Sequence, residues 1–447
     1  MFISLITGCR DRRTVPRGSL CSPLIVKTHT PSQQGVRGFA ALLVAMSCGA
    51  MNDNLLRGAL LVAVAVGGTH AWAGQLGSGG TGWVTFMLYV PFIVLLGVTG
   101  QLADRFPRRT IIIISRVLEV ALSGLAVLAF ALGNLYLACG TLMLMAAQSA
   151  LFSPAKYGIV PDLVGDAALS RANGLLSMLT NVMIIAGMAV SGLLLEQGGL
   201  WLGLAMVVVA TTGLCASLCI PRGAAAQPEL KFTWRTFSAH IDNLAAMRGT
   251  PAMIATIAWC WFYAIGSLMI AIIPNYTNVL SLSQAQAGMM LAAPGVGIAV
   301  GGLAAGFGSG DRIRGRLVPL GGALMTVGLI LLALVPPTQL MLWILLGLTG
   351  VAAGLFVIPI LSLLQHLPAA GFRARCIGTA NFCTYLAMSV SALTYAMLAD
   401  QVGSDPSLWF LACGLLMGGM SLYTFVKREV LRTAGLHAAA GSVASRD

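Results

Sequence analysis

Apolar residues in this chain fall into unbroken stretches of about twenty, separated by short polar segments. Twelve stretches stand out: residues 39–66, 83–103, 110–132, 135–155, 172–195, 200–220, 252–276, 286–308, 317–335, 339–362, 377–398 and 408–426. About 20 apolar residues, wound as a helix, cross the roughly 30 Å hydrocarbon layer of a membrane. The stretches are continuous and do not alternate, which excludes a transmembrane β-barrel. The pattern predicts an all-α polytopic membrane protein with twelve spanning helices.

The polar segments are biased in a way that fixes the helix count. Lysine and arginine gather in every second segment. Arg10, Arg12, Arg13, Arg17, Lys27 and Arg37 precede the first stretch, and Arg105, Arg108 and Arg109 follow the second. Lys156 and Arg171 flank the segment after the fourth; Arg222, Lys231, Arg235 and Arg248 follow the sixth. Arg312, Arg314 and Arg316 follow the eighth, Arg373 and Arg375 the tenth, and Lys427, Arg428, Arg432 and Arg446 the last. Of 26 basic residues only Arg57 and Arg116 lie inside the stretches. Basic loops stay cytoplasmic. Both termini are therefore expected in the cytoplasm and the segment 67–82 outside, and one helix more or fewer would destroy the pattern.

Composition narrows the function classes. The chain is 57% hydrophobic and 9% charged, with a mean hydropathy of +0.88, whereas about a quarter of a soluble chain is charged. An ordinary soluble enzyme and a disordered protein are excluded. The net charge of +12 does not indicate nucleic acid, because it sits between apolar runs rather than on one solvated face. Abundant glycine (53) and methionine (21) suit helices packed closely in lipid. The ten cysteines form no C-x-x-C pair, so they read as small buried hydrophobes, with no disulfide framework or metal site. No phosphate loop, H-E-x-x-H or G-x-S-x-G string occurs. No enzyme activity and no cofactor are expected.

The chain is two similar halves. Ala103-Asp104-Arg105 returns as Gly310-Asp311-Arg312, Leu151-Phe152 with Pro154 as Leu355-Phe356 with Pro359, and Ala172-Asn173 as Ala380-Asn381. The expected organisation is a disordered cytoplasmic arm at 1–38 (or an overextended gene start), six-helix bundles at 39–220 and 251–426, a cytoplasmic linker at 221–250 and a tail at 427–447. Trp234, Phe237, Ile241 and Leu244 fall at helical spacing, so the linker is expected to carry an amphipathic helix on the inner leaflet. Paired six-helix halves form the usual frame for alternating access around a midplane site.

Gly100-Gln-Leu-Ala-Asp104-Arg105-Phe-Pro107-Arg108-Arg109 resembles the signature loop of the major facilitator superfamily, with only Pro107 departing from it. An Asp at a helix end among arginines can latch onto a neighbouring helix N-terminus. Gly100, Asp104, Arg105 and Arg109 are the expected conformational latch, and the copy at 310–312 is degenerate. This loop identifies a transporter frame and says nothing of cargo.

Cargo has to be read from polar groups inside the membrane, which are costly there. The first helix carries Asn52, Asp53, Asn54 and Arg57. Asp53 and Arg57 are four residues apart, so they share a face and are expected to pair. That pair is either a structural link between helices or part of the transport site, and the two flanking asparagines favour the site. Arg116 and Glu119 in the third helix are also spaced to meet. Snorkelling, pairing with the latch loop, contact with cargo and a coupling role are all open for them. Lys156, at a Pro- and Gly-broken helix end, is either an interfacial lysine or a phosphate ligand.

The strings from Gly49 to Arg57, from Gln148 to Ile159, at Arg171-Ala172-Asn173, from Gly354 to Gln365 and from Arg375 to Phe382 resemble one branch of that superfamily. This is the lysophospholipid transporter family, including versions fused to acylglycerophosphoethanolamine acyltransferases. The resemblance implies transport of a lysophospholipid across a bacterial inner membrane for reacylation by a cytoplasmic acyltransferase. It implies a substrate-contacting set of Asp53, Asn54, Arg57, Lys156, Asn173 and Asn381. One departure stands out: apart from His366 near the inner end of helix 10, helices 7–12 hold no interior ionisable residue, and Asp400 lies at the outer rim. A cavity charged on one side suits an amphiphile. The alternative is a superfamily exporter of small hydrophobic or drug-like compounds, driven by protons through Asp53 or Glu119.

Overall fold

The computed structural model describes residues 33–66, 72, 74–165, 168–233, 236–309, 315–368, 370–403, 405–431 and 433. Among these the regular secondary structure is entirely helical. Spanning helices are α1 (Gln33–Val66), α2 (Gly80–Arg105), α3 (Arg108–Ala131) and α4 (Leu135–Gly158), then, after the short α5 (Val160–Val164), α6 (Leu169–Gln197) and α7 (Gly199–Leu218). The linker helix is α8 (Thr236–Met247). The second set is α9 (Pro251–Ile272) with a 3-10 turn and α10 (Tyr276–Leu280), followed by α11 (Gln284–Ser309), α12 (Leu317–Leu334), α13 (Gln339–His366), α14 (Ala370–Val402) and α15 (Pro406–Val426). Twelve helices among the described residues are long and apolar enough to cross a membrane, one for each stretch expected from hydropathy. The chain is a multi-pass membrane protein.

Helix ends follow local chemistry. Asn134 accepts from the Leu137 amide and Thr338 from the Met341 amide, capping α4 and α13. The αL glycine Gly133 closes the turn between α3 and α4. The largest difference from the sequence expectation is at the start. Residues 33–38 of the expected arm already belong to α1, and a Cβ at Gly38 would lie 2.4 Å from Pro221 Cδ. The helix continues inward because the start of the linker packs on it. The rest of the arm, Trp234 and the Gly310-Asp311-Arg312 copy lie outside the described residues. The linker does form a helix, and Ile241 on it is 69% exposed.

Helices α1–α7 pack chiefly with one another, as do α9–α15, and the two sets meet along α6 with α11 and α2 with α14. That meeting is confined to one end. Away from the arginines, Leu55 to Val64, Met188 and Leu195 form one continuous core with Tyr276, Ala287, Met290 and Tyr395. At the basic end the first set keeps a core of its own around Phe39, Ile112, Phe152 and Leu163. Glycines in the four facing helices record the same asymmetry. At the far end a Cβ on Gly79 or Gly82 would strike the Ala396 backbone, and one on Gly192 or Gly288 the facing α11 or α6 backbone, all within 2.9 Å. At the basic end Gly100, Gly174, Gly306 and Gly378 have no described residue within 4 Å of a Cβ. The halves are closed together at one end and parted at the basic end.

Candidate functional site

Three polar residues of α1 reach three different helices: the successive Asn52 and Asp53 point about 100° apart, and Arg57, one turn after Asp53, meets a third helix. Asn52 is fully buried, and its Nδ2 donates to Glu119 Oε1 (3.1 Å) and Ser123 Oγ (3.0 Å) on α3. Asp53 accepts at Oδ2 from Ser149 Oγ on α4, at 2.5 Å. Arg57 donates from Nη2 to Tyr89 OH on α2, at 2.7 Å, and its guanidinium lies 5.4 Å from that ring's centre. The expected Asp53–Arg57 pair is therefore not made. Each is met instead by a neighbour across the bundle: a hydroxyl that donates to the carboxylate, and a phenol that accepts from the guanidinium.

Among the described residues the ion pairs are Arg108–Asp162, at 3.0 Å, and Arg116–Glu119. The second corrects the snorkelling reading of α3. Arg116 is 1% and Glu119 0% exposed, so the guanidinium does not reach water. It packs over Phe152, 4.2 Å from the ring centre, and fills the space where a Cβ on Gly49 would lie. A buried pair that also receives the Asn52 amide is held by packing on every side. Asn54 turns toward α6, where its Cβ abuts Gly187, and its amide donates back to Ala50 O at 2.8 Å.

Buried polar atoms without a hydrogen-bond partner among the described residues gather on α1 and α3, with one on α4. Asp53 Oδ1 and Gln148 Nε2 have no hydrogen-bond partner among the described residues. The half-buried Lys156 meets only aromatic faces, its Nζ 4.9 Å from the centre of Tyr157 and 5.6 Å from that of Phe152. Asp53 lies within Coulombic reach of Lys156, Arg116 and Glu119, and Lys156 within reach of Arg116. Facing them from the second half is Tyr385 on α14, stacked on Phe92 at 4.5 Å and 6.3 Å from Tyr89. Tyr157, Tyr263 and the Asp53 carboxylate are within reach of its phenol. The second half thus brings phenols, not ions, to the charged patch. Sequence reasoning passed over Ser149, Tyr89, Tyr263 and Tyr385. The available signal was spacing: Ser149 stands two turns before Lys156, and Tyr385 one turn after Asn381. Asn173 and Asn381 are exposed on α6 and α14, toward the basic end and away from the Asp53 cluster.

The loop between α2 and α3 shows what its arginines do. Arg109 donates to Ile220 O (2.6 Å) and Leu218 O (3.0 Å), satisfying carbonyls at the C-terminus of α7. Arg108 pairs with Asp162 beside Gly158, and the exposed Arg105 lies over Phe106, 5.7 Å from its centre. The Asp104 side chain meets no helix N-terminus among the described residues, while its carbonyl accepts from the Gln227 amide at 2.8 Å. Next to it, Gln101 exchanges two 2.8 Å hydrogen bonds with the Thr233 backbone. The linker then crosses to α14, where His240 and Asn243 both meet Thr379 Oγ1 at 3.1 Å and the imidazole stacks on Phe382.

A helical frame closed at one end around a midplane polar patch narrows the comparison with known proteins. The family model described as Major Facilitator Superfamily matches residues 38–392. The chain belongs to the Major Facilitator Superfamily. Curated relatives include the lysophospholipid transporter LplT of Serratia proteamaculans, 27% identical over 337 residues, covering 74% of this chain and 80% of that one. The protein of the same name from Photorhabdus laumondii is 29% identical over 343 residues, again 74% and 80%. That from Escherichia coli O157:H7 is 28% identical over 350 residues, 76% and 82%. Solved structures share the fold at lower identity. A POT family transporter in complex with 5-aminolevulinic acid superposes with a TM-score of 0.70 at 14% identity, covering 88% of this chain and 96% of that one. An inward-facing, unoccupied bacterial homologue of the human lysosomal transporter Spinster gives 0.63 at 13%, covering 91% and 98%. The frame is that of a secondary transporter, which works from gradients and two alternating conformations.

Proposed function

We propose that this superfamily member moves lysophospholipids across a bacterial inner membrane by alternating access. Its basic end and both termini lie in the cytoplasm, and the described conformation is the inward-open one. The named relatives are lysophospholipid transporters, and the product would feed a cytoplasmic acyltransferase. The observation that carries the reading is the one-sided patch. Asp53 Oδ1 and the Lys156 ammonium have no hydrogen-bond partner among the described residues, while the opposing second half presents Tyr385, stacked on Phe92 of the first half, and apolar helix. A phosphodiester headgroup satisfies Lys156, with Arg57 a further donor through its unpartnered Nε. The acyl chain lies against the apolar second half. Asp53 sets the charge balance and accepts a hydroxyl or ammonium of the headgroup. Asp104 is the latch that closes onto a helix N-terminus when the basic end shuts, which is why it has no such contact here.

The test is headgroup-dependent transport in proteoliposomes with labelled lysophosphatidylethanolamine and lysophosphatidylglycerol. Lys156→Ala should lower transport about tenfold or more, as loss of one charge-assisted phosphate contact implies, with elution and melting unchanged. If the parent protein moves neither lipid but expels dye-like cations, the cargo is drug-like and the lysophospholipid reading is wrong.

A further inference from the structure

Hydrogen bonds join the halves at the end away from the arginines: Thr81 Oγ1 donates to Ala271 O (2.7 Å), Asn278 Nδ2 donates to Ala65 O (2.9 Å), and two more run from backbone amides to carboxylates. Glu196, in the last turn of α6, accepts at Oε2 from the Ala285 amide in the first turn of α11, at 2.8 Å. Asp400, near the end of α14, accepts at Oδ1 from the Ser78 amide just ahead of α2, at 2.8 Å. Glu196 and Asp400 both lie in the last turn of their spans, the fifth and the eleventh, while Ala285 and Ser78 lie at the N-terminal ends of the eighth and second. One turn before each carboxylate sits a small residue, Gly192 or Ala396, where the opposing chain comes closest. A Cβ on Gly192 would lie 2.1 Å from Gln284 O, and one on Gly79 would lie 2.1 Å from Ala396 O.

Electrostatics gives these contacts a direction. A carboxylate at the C-terminal end of its own helix sits against the negative end of that helix's dipole. The first amides of a helix have no intrahelical acceptor and form its positive end. Crossing to the neighbour's N-terminus relieves both deficits together. When the halves part at this end, each carboxylate and each amide returns to water, so both contacts exist only in the closed form. A contact made in one state alone biases the equilibrium toward that state.

We propose that Glu196 and Asp400 are two positioning residues, one on each half, that hold the outer gate shut and set the balance between inward-open and outward-open forms. This rests on the alternating-access reading and is independent of which lipid is carried. The glycine and alanine contacts set how closely the helices can approach, and the carboxylates set how much of the time they do so.

The experiment is a spin-label distance measurement on the full chain in nanodiscs, without substrate. Labels go on Tyr136→Cys in α4 and Leu340→Cys in α13, each 71% exposed at the gate end, after replacement of the ten native cysteines. Glu196→Ala and Asp400→Ala should each raise the open-to-closed ratio about fivefold, the usual effect of losing one helix cap. Together they should raise it about 25-fold, since the two sites are far enough apart to be additive. Glu196→Gln and Asp400→Asn keep an acceptor oxygen and should shift it less, while preserving expression if the alanine variants misfold. Gly192→Leu is the steric control and should open the gate by collision. A parent-like distribution in the double alanine variant, with opening in Gly192→Leu, shows that packing alone sets the gate and overturns the proposal. Because the readout uses no lipid cargo, that outcome leaves the substrate assignment standing.

Discussion

At the scale of single residues, the structure separates two kinds of buried charge that look alike in sequence. Asp53/Arg57 and Arg116/Glu119 both have helical pair spacing, and spacing alone offers a pair in each case. Only the second forms, because the choice depends on residues that helix packing brings in from far along the chain: Ser149 for Asp53 and Tyr89 for Arg57. The consequence is a split in mutant behaviour. Glu119→Gln leaves the fully buried Arg116 without its counter-charge, and breaking such a pair costs about 3–5 kcal/mol. A large drop in melting temperature and yield is expected, with transport per folded molecule little changed. Asp53→Asn retains an acceptor for Ser149 and removes only the charge. Its melting curve should match the parent while lysophospholipid transport falls at least tenfold. Wild-type transport in Asp53→Asn, measured in proteoliposomes at equal protein, would remove Asp53 from the site.

At the scale of elements, the spanning helices were legible because hydropathy and the one-sided basic loops both report position along the membrane normal. Lateral relations were not legible, because they depend on which faces meet. The linker illustrates this. Its helical spacing could be read, yet the contact that matters is made by polar residues, His240 and Asn243 against Thr379. Burial lowers the pKa of His240 below its ordinary value, so the docked linker holds the neutral ring and the released linker binds a proton more readily. Stability of docking therefore rises with pH. It is complete above the usual histidine pKa and weakens as pH falls through and below it. Hydrogen exchange over residues 236–247 should accelerate between about pH 7 and pH 5 beyond the intrinsic chemical trend. His240→Gln should abolish that extra pH dependence. If parent and His240→Gln follow the same curve, the imidazole does not control docking.

At the scale of the whole molecule, charge and conformation point to the same side. The described loop arginines and lysines lie at one end, and among the described residues nothing covers the four facing glycines Gly100, Gly174, Gly306 and Gly378 at that end. If the basic end is cytoplasmic, the cavity opens to the cytoplasm, where a reacylating enzyme would take the product. Orientation and open side can be measured independently with a membrane-impermeant thiol reagent in the cysteine-free background. Tyr136→Cys, 71% exposed at the far end, should react in intact cells. The exposed linker position Glu229→Cys should react only in inverted vesicles. Asn381→Cys tests the cavity itself: the side chain is exposed and stands one turn from Tyr385. In the inward-open form it should follow Glu229→Cys, and opening the outer gate with the Glu196→Ala/Asp400→Ala pair should slow its labelling from the vesicle side. Labelling of Glu229→Cys in intact cells would invert the topology. Labelling of Asn381→Cys from the Tyr136 side alone would mean that the cavity faces outward at rest, and the direction of delivery would have to be reversed with it.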